Sequence, residues 1–465
     1  MKSFFKTVFR ILLIMFVLIL LIAGGMAWIT FPIGAGYGAK IMCSCVFLGD
    51  RDEASVWEDE LSILKKHLSI KVNRMNETVE ASMYGRTKKA IYRPGKGCTL
   101  ENGEVKEHAY VPLRKATSNA RFEPWPYGDD ISAQQLPDFI DMDRLNQALD
   151  SAFAEPYTDK TRNTRAVIVL YDSLLVAERY ATGFSKTSRM AGWSMTKTVT
   201  NALYGILSKQ NKIDIHQPAP MKEWKKDSMK SQITIDHLLR MSSGLDFLEF
   251  YFGPTDATFM LFTEHNAGKF AAKRAAIAPP DSIWSYSSGT TNILSQIIRQ
   301  TLPESEYHAF PQIELFDKLG MQSAIMETDA SGTHIGSSFM FATARDWARF
   351  GLLYQQDGVF RNERILPEGW VKYSTTPTPP APQGKYGAQI WLNAGKNGDS
   401  STRPHPSIPA NLFWASGFEG QYVIIAPTQK VTIVRLGQTI DRSAFDFEKF
   451  VYDILAAFPS AAQAP

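Results

Sequence analysis

The sequence predicts an α/β chain of the α+β kind. One sheet is assembled from the two ends of a domain, a helical lobe comes from its middle, and a transmembrane helix precedes both. Three observations lead there: an uncharged apolar run from Ile11 to Ile29, short β-patterned runs near 166–180 and 421–437, and helical apolar spacing in between. The 465 residues, 44% of them hydrophobic, suffice for two or three such units.

The N-terminal run ILLIMFVLILLIAGGMAWI holds no charge in 19 residues and spans roughly 28 Å as a helix, about one hydrocarbon core. A cleavable signal has a shorter apolar region and a small-x-small site; the best candidate, ending at Ala39, has Tyr37 two residues earlier. An uncleaved anchor is therefore expected over residues 1–30. Lys2, Lys6 and Arg10 precede it, so the positive-inside rule keeps the N-terminus in the cytoplasm. The expectation is a single-pass protein of the inner (cytoplasmic) membrane with a periplasmic or otherwise extracytoplasmic body. In that oxidising setting Cys98 can pair with Cys43 or with Cys45, leaving one thiol free.

Residues 31–140 form an extension of unknown role, punctuated by the turn clusters RPGKG and EPWPYGDD. A domain over 141–458 follows. Met142, Leu145, Leu149 and Phe153 recur at helical spacing. AVIVLYD and LLVAERY, meeting at Asp172–Ser173, read as a β-hairpin. Val199, Leu203, Ile206 and Leu207 give the apolar face of a helix beginning near Ser194, and 233–303 is mainly helical. Thr343 with Asp346 opens a further helix over 342–356 as a capping box with a shorter acid. Prolines fill 376–409 around a strand-like YGAQIWL. The strands QYVIIAP and KVTIVRLG, a helix from about Ser443 to Phe458, and a disordered tail over 459–465 close the chain.

Charge and motif content exclude several functions. The net charge of +3 equals the basic residues of 1–29, so the body is neutral and lacks the footprint of a nucleic-acid binder. Three cysteines and eight scattered histidines give no metal-ligand spacing, and His237 in ITIDHLLRM reads as a packed helix residue; no metal or cofactor is expected. G-x-S-x-G and Walker-type loops are absent. What remains is S-x-x-K, at Ser3/Lys6, Ser62/Lys65 and Ser194/Lys197. Ser3 lies in the cytoplasmic tail and Ser62 on a charged helix. Ser194 starts a helix after a hairpin, where the helix dipole favours developing negative charge. Lys197 lies one turn on and can take the hydroxyl proton if burial lowers its pKa. Tyr286, in WSYSSGTTN, can relay a proton, and the glycines flanking Phe418 in FWASGFEGQYV permit close backbone approach to a bound carbonyl.

The order Ser194-x-x-Lys197, Tyr286-x-Ser288, then a Gly-containing strand resembles the serine β-lactamase and penicillin-binding-protein superfamily. The resemblance is to its class C-related hydrolases, which include esterases and 6-aminohexanoate-dimer hydrolases. It covers about Asp141–Phe458, with ITIDHLLRMSSGLDF, FDKLGM and SFMFATARDWARFG as further segments. The resemblance implies a β-lactamase/transpeptidase-like fold, with an antiparallel sheet flanked by helices plus a helical lobe. It also implies Ser194 as acylated nucleophile, Lys197 as base, Tyr286 as proton relay and Ser288 where an Asn is commoner. Gly417–Phe418 would be the oxyanion strand, the Ser194 and Phe418 N–H groups holding the oxyanion. Where lactamases carry Lys-Thr-Gly or His-Thr-Gly, this chain has Ala415-Ser416-Gly417, so the cation that meets a β-lactam carboxylate is missing. The expected function is hydrolysis of an ester, amide or peptide through an acyl-enzyme. The alternatives are a D,D-peptidase or weak β-lactamase, and a non-catalytic binding protein that retains the fold.

Overall fold

The apolar N-terminal run is helical. In the computed structural model, which describes residues 2–106 and 123–459, this helix (α1, Lys2–Cys43) runs well past the expected 19-residue span. Its early part, including Leu12, Phe16, Ile19 and Trp28, is exposed, and an 18-residue stretch of mean hydropathy 2.8 is long enough to cross a membrane. From Ile33 onward most side chains of the same helix are buried. The small residues there cause this: a Cβ on Gly36 would collide with the Phe262 carbonyl, and one on Gly38 with Leu68.

A short helix α2 (Glu53–Glu58), capped by Asp52, leads into a four-stranded antiparallel sheet in sequence order. Its strands are β1 (Leu68–Asn73), β2 (Thr78–Met83), β3 (Arg86–Arg93) and β4 (Gly97–Leu100). Ser62 stands on a single 3-10 turn, Ser62–Leu64, rather than on the expected charged helix, and its hydroxyl donates to the Asp59 carbonyl (2.8 Å). Cys43 and Cys98 form a disulfide, with Cys45 left as a buried thiol. Beside it the Lys40 ammonium lies 2.6 Å from the Glu327 carboxylate, both groups 2% exposed or less. That carboxylate also accepts from Ser44 Oγ (2.8 Å) and the Cys98 N–H (2.6 Å). The extra donors make a buried ion pair tolerable, since removing either partner of such a pair typically costs ~3–5 kcal/mol. The second half of α1, this sheet and the helical lobe share one hydrophobic core.

The body begins with α3 (Met142–Phe153), whose N-cap Asp141 accepts from the Arg144 N–H (2.9 Å). The predicted hairpin is β5 (Thr164–Tyr171) and β6 (Leu174–Tyr180), turning at Asp172 with φ 52°. After β7 (Met190–Ala191) the lobe comprises α4 (Thr196–Lys209), α5 (Ile235–Leu239), α6 (Asp256–Phe262), α7 (Ala267–Ala272), α8 (Ser288–Thr301), α9 (Glu304–Tyr307) and α10 (Asp317–Leu319). Strands β8 (Ile325–Met326) and β9 (Met340–Ala342) join β7 in a small sheet, and α11 (Ala344–Gln355) returns the chain to the large one. A hairpin β10 (Val359–Phe360) and β11 (Glu363–Arg364) and helix α12 (Trp370–Ser374) precede the final strands. These are β12 (Trp391–Leu392), β13 (Phe413–Gly417), β14 (Gln421–Ala426) and β15 (Val431–Gly437), and α13 (Phe447–Leu455) follows.

The six-stranded sheet runs β12-β13-β14-β15-β5-β6, antiparallel throughout, so the two ends of the domain meet where β15 pairs β5. Both faces are buried, as the strand period requires. Ala166, Ile168 and Leu170 of β5 face the core shared with α4 and α11, while Val167 and Val169 face α3 and α13.

Three local expectations are corrected. YGAQIWL is strand only at β12, because Gln389 adopts φ 60° and its amide caps carbonyls of α5 instead of joining the sheet. The last helix starts at Phe447, since Asp446 caps it and a separate 3-10 turn occupies Arg442–Ala444. Thr343 does cap α11, yet the Asp346 carboxylate binds the Ser323 N–H (2.8 Å) and does not close a box. The tail expected over 459–465 lies, from residue 460, outside the described residues.

Candidate active site

Ser194 sits in a single 3-10 turn, Trp193–Met195, that feeds directly into α4. Trp193 holds φ 48°, a left-handed conformation costly for a bulky residue, and is fixed by the Phe339 and Phe418 rings at 5.9 and 5.5 Å. The turn leaves Ser194 half-buried, while α4 from Thr196 to Leu207 is wholly buried.

One helical turn on, Lys197 Nζ lies 3.1 Å from Ser194 Oγ, 2.9 Å from Ser288 Oγ and 3.0 Å from the Ser337 carbonyl. Burial lowers its pKa to about 8, against an opposing pull from the Glu249 carboxylate. As an ammonium Lys197 donates to all three oxygens. Deprotonated, it keeps two N–H donors for Ser288 and Ser337 and offers its lone pair to the Ser194 hydroxyl. The Lys197 ammonium lies 4.9 Å from the Tyr286 ring centroid, which sets the phenol beside the Ser194–Lys197 pair. Burial, then Glu249, drives the Tyr286 pKa up, while Ser194 and Arg442 pull it down. Tyr286 belongs to an aromatic wall with Tyr386 and Trp391, at 5.8 and 5.3 Å.

Strand β13 closes the other side. A Cβ on Gly417 would collide with the Gly192 carbonyl, so only glycine lets the strand end lie this close to the Ser194 turn. Phe418 follows against Trp193. Ala415 is 2% exposed and pairs with Val423. Arg403 spends its guanidinium on the carbonyls of Ser400, Pro406 and Ile408 in its own loop. The structure thus brings Ser194, Lys197 and Ser288 into one hydrogen-bonded group and sets the Tyr286 ring and Gly417–Phe418 beside it. His237 caps α5, bonding the Thr234 N–H at 3.1 Å.

Sequence reasoning missed Glu249 and Tyr251. The Glu249 carboxylate accepts from the Ser288 N–H (2.7 Å) and Ser288 Oγ (2.6 Å) at the start of α8, where the dipole favours a negative charge. The Tyr251 hydroxyl donates to Glu249 (2.6 Å) and touches Ser288 Oγ (3.0 Å). The available signal was the strict alternation of Leu248, Phe250 and Phe252 with these two polar residues. Because Glu249 favours the charged lysine, Glu249→Gln should move the rising limb of the pH–rate profile to lower pH, whereas a purely structural role would lower the plateau and leave the limb in place.

A hydroxyl, a buried amine and a phenol grouped at the edge of an antiparallel sheet with a helical lobe define a β-lactamase-related serine hydrolase. The chain belongs to the β-lactamase family, whose profile matches residues 149–457. It is 24% identical over 307 residues to the 6-aminohexanoate-dimer hydrolase of Paenarthrobacter ureafaciens, covering 60% of this chain and 73% of that protein. A solved Bacillus anthracis protein, described as a candidate 6-aminohexanoate-dimer hydrolase, superposes with TM-score 0.52 at 20% identity, over 89% of this chain and 95% of its own. A family VIII carboxylesterase superposes with TM-score 0.50 at 14% identity, over 70% and 99%. The first superposition reaches beyond the family match, so its fold includes part of the extension.

Proposed function

We propose that the protein is a membrane-anchored serine hydrolase that cleaves an ester or amide through an acyl-enzyme on Ser194. The observation that carries this reading is the Lys197 amine, 3.1 Å from Ser194 Oγ with its pKa brought down to about 8. Neutral Lys197 takes the hydroxyl proton as Oγ attacks the carbonyl carbon. The Ser194 and Phe418 N–H groups receive the oxyanion, which is worth a few kcal/mol in such sites. Tyr286 passes the proton to the departing alcohol or amine, and water then attacks the acyl-Ser194 ester, releasing the acid and restoring the hydroxyl. Exposure to a fluorophosphonate, with mass spectrometry of the peptide containing Ser194, tests the assignment; an adduct elsewhere, or none, refutes it.

The anchored reading rests on the apolar half of α1 and the basic residues before it. Cleavage after Ala39 would strip the buried residues Ile33, Ala35 and Ala39 from the core, which favours a retained helix. The Cys43–Cys98 disulfide fits an oxidising compartment.

Ala415 separates this reading from a penicillin-directed one. A charge-assisted contact to a substrate carboxylate is worth ~1.5–3 kcal/mol, or about 10–150-fold. Kinetics on both substrates should give a higher kcat/KM for a short-chain p-nitrophenyl ester than for a chromogenic cephalosporin, and Ala415→Lys should narrow the gap. Cephalosporin turnover equal to that of the ester would promote the lactamase alternative.

A further inference from the structure

We infer that Leu248–Phe252 is a lip that dips into the bilayer and admits amphiphilic, membrane-resident esters or amides to Ser194; this rests on the anchored-hydrolase reading above. The segment alternates strictly. Glu249 and Tyr251 turn inward onto Ser288, while Leu248, Phe250 and Phe252 are 57%, 53% and 62% exposed. Three large apolar side chains displayed together at the entrance to a polar site are a costly surface in water and an ordinary one in lipid.

The position of the site along α1 singles out the bilayer as their partner. Trp28 lies under the Arg86 guanidinium (3.5 Å), and Phe31 packs on Tyr84 (4.7 Å) at the β2–β3 turn. Aromatic and arginine side chains gathered at the end of an apolar span mark the boundary with water. Lys40 is only nine residues beyond Phe31, about 13 Å along the axis. At that height the Tyr37 ring meets Phe262 (5.4 Å), Phe262 meets Phe339 (6.2 Å), and Phe339 carries both Lys40 (4.6 Å) and Trp193 (5.9 Å). The floor of the Ser194 site therefore stands within a few helical turns of the lipid boundary. Phe262 also ends α6, the helix that starts just after Phe252, so the lip and the buried half of α1 are braced by one element. A substrate with a long acyl chain can then reach Ser194 along the lip with its tail kept out of water.

The test uses the full chain in vesicles of equal parts phosphatidylcholine and phosphatidylglycerol. Leu248→Ser, Phe250→Ser and Phe252→Ser are combined and compared with the native chain on water-soluble p-nitrophenyl acetate and bilayer-dissolved p-nitrophenyl laurate. Acetate turnover should be unchanged, while kcat/KM for laurate should fall roughly tenfold or more, the scale of losing one buried apolar side chain. An equal fall on both substrates, or none on laurate, overturns the lip. A second arm places a nitrobenzoxadiazole label on Phe250→Cys; the native cysteines are a disulfide and a buried thiol. Its emission should shift to the blue and be quenched by nitroxide lipids. The same label on Ile313→Cys, beside the cavity that Gln312 shares with Gly95 at the other end of β3, should do neither. Alkaline extraction reads the anchor separately: release of the chain overturns the anchored reading, whereas a retained chain with an unquenched Phe250 label overturns the lip alone.

Discussion

Ser194→Ala should reduce ester turnover to background, a loss on the order of 10⁴-fold or more, with the fold intact. The hydroxyl is the reacting atom in the proposed scheme, and neighbouring Ser287 and Ser288 cannot replace it. Ser287 caps α8, and Ser288 Oγ is committed to Glu249. Ser62→Ala should have no measurable effect, since its hydroxyl is bound to the Asp59 carbonyl in a 3-10 turn. Comparing the kcat/KM of the two variants on one ester checks both statements. Undiminished turnover by folded Ser194→Ala would remove Ser194 from the mechanism.

Lys197→Ala should be nearly as damaging, and the double variant scarcely worse than either single one, because residues acting on one proton do not contribute independently. The native pH dependence follows from the sign of the shift. Burial favours the neutral amine and brings the pKa to about 8, and only the neutral form can accept the Ser194 proton. kcat/KM should therefore rise with pH through about 8 and level off above it. Lys197→Arg should abolish the rise and the activity together, because a guanidinium is never deprotonated in this range. A profile that is flat from pH 6 to 9 in the native enzyme would refute Lys197 as the base.

The legible parts of this molecule were those governed by local pattern. The β5–β6 hairpin, helix α3 and the buried face of α4 follow from two-residue and helical periodicities that short windows contain. The Ser194-x-x-Lys197 spacing places both groups within one helical turn, so their 3.1 Å approach is also a local matter. What escaped depends on distant partners. Glu249 meets Ser288 across 39 residues, and no local pattern encodes that contact. The β1–β4 sheet escaped although LSIKVN alternates apolar and polar residues, because RTKKAIYR carries polar side chains on both faces and gives no matching pattern. The choice between Cys43 and Cys45 turns on helical phase: two residues apart on a helix face different ways, and only Cys43 faces β4.

In the anchored reading proposed above, that same phase governs how the body rides on its span. Residues 2–43 form one unbroken helix, whose far end is riveted by the Cys43–Cys98 bond and the Lys40–Glu327 pair. Around Pro32 the contacts of Trp28 with Arg86 and of Phe31 with Tyr84 brace the helix against the body. One residue added between Ile29 and Ile33 would raise the body by about 1.5 Å and turn it by about 100°, swinging the cleft away from its original bearing. Four added residues would bring it back to within about 40° of that bearing, about 6 Å higher. The compass heading of the active site is thus written into the residue count of a segment that touches no substrate.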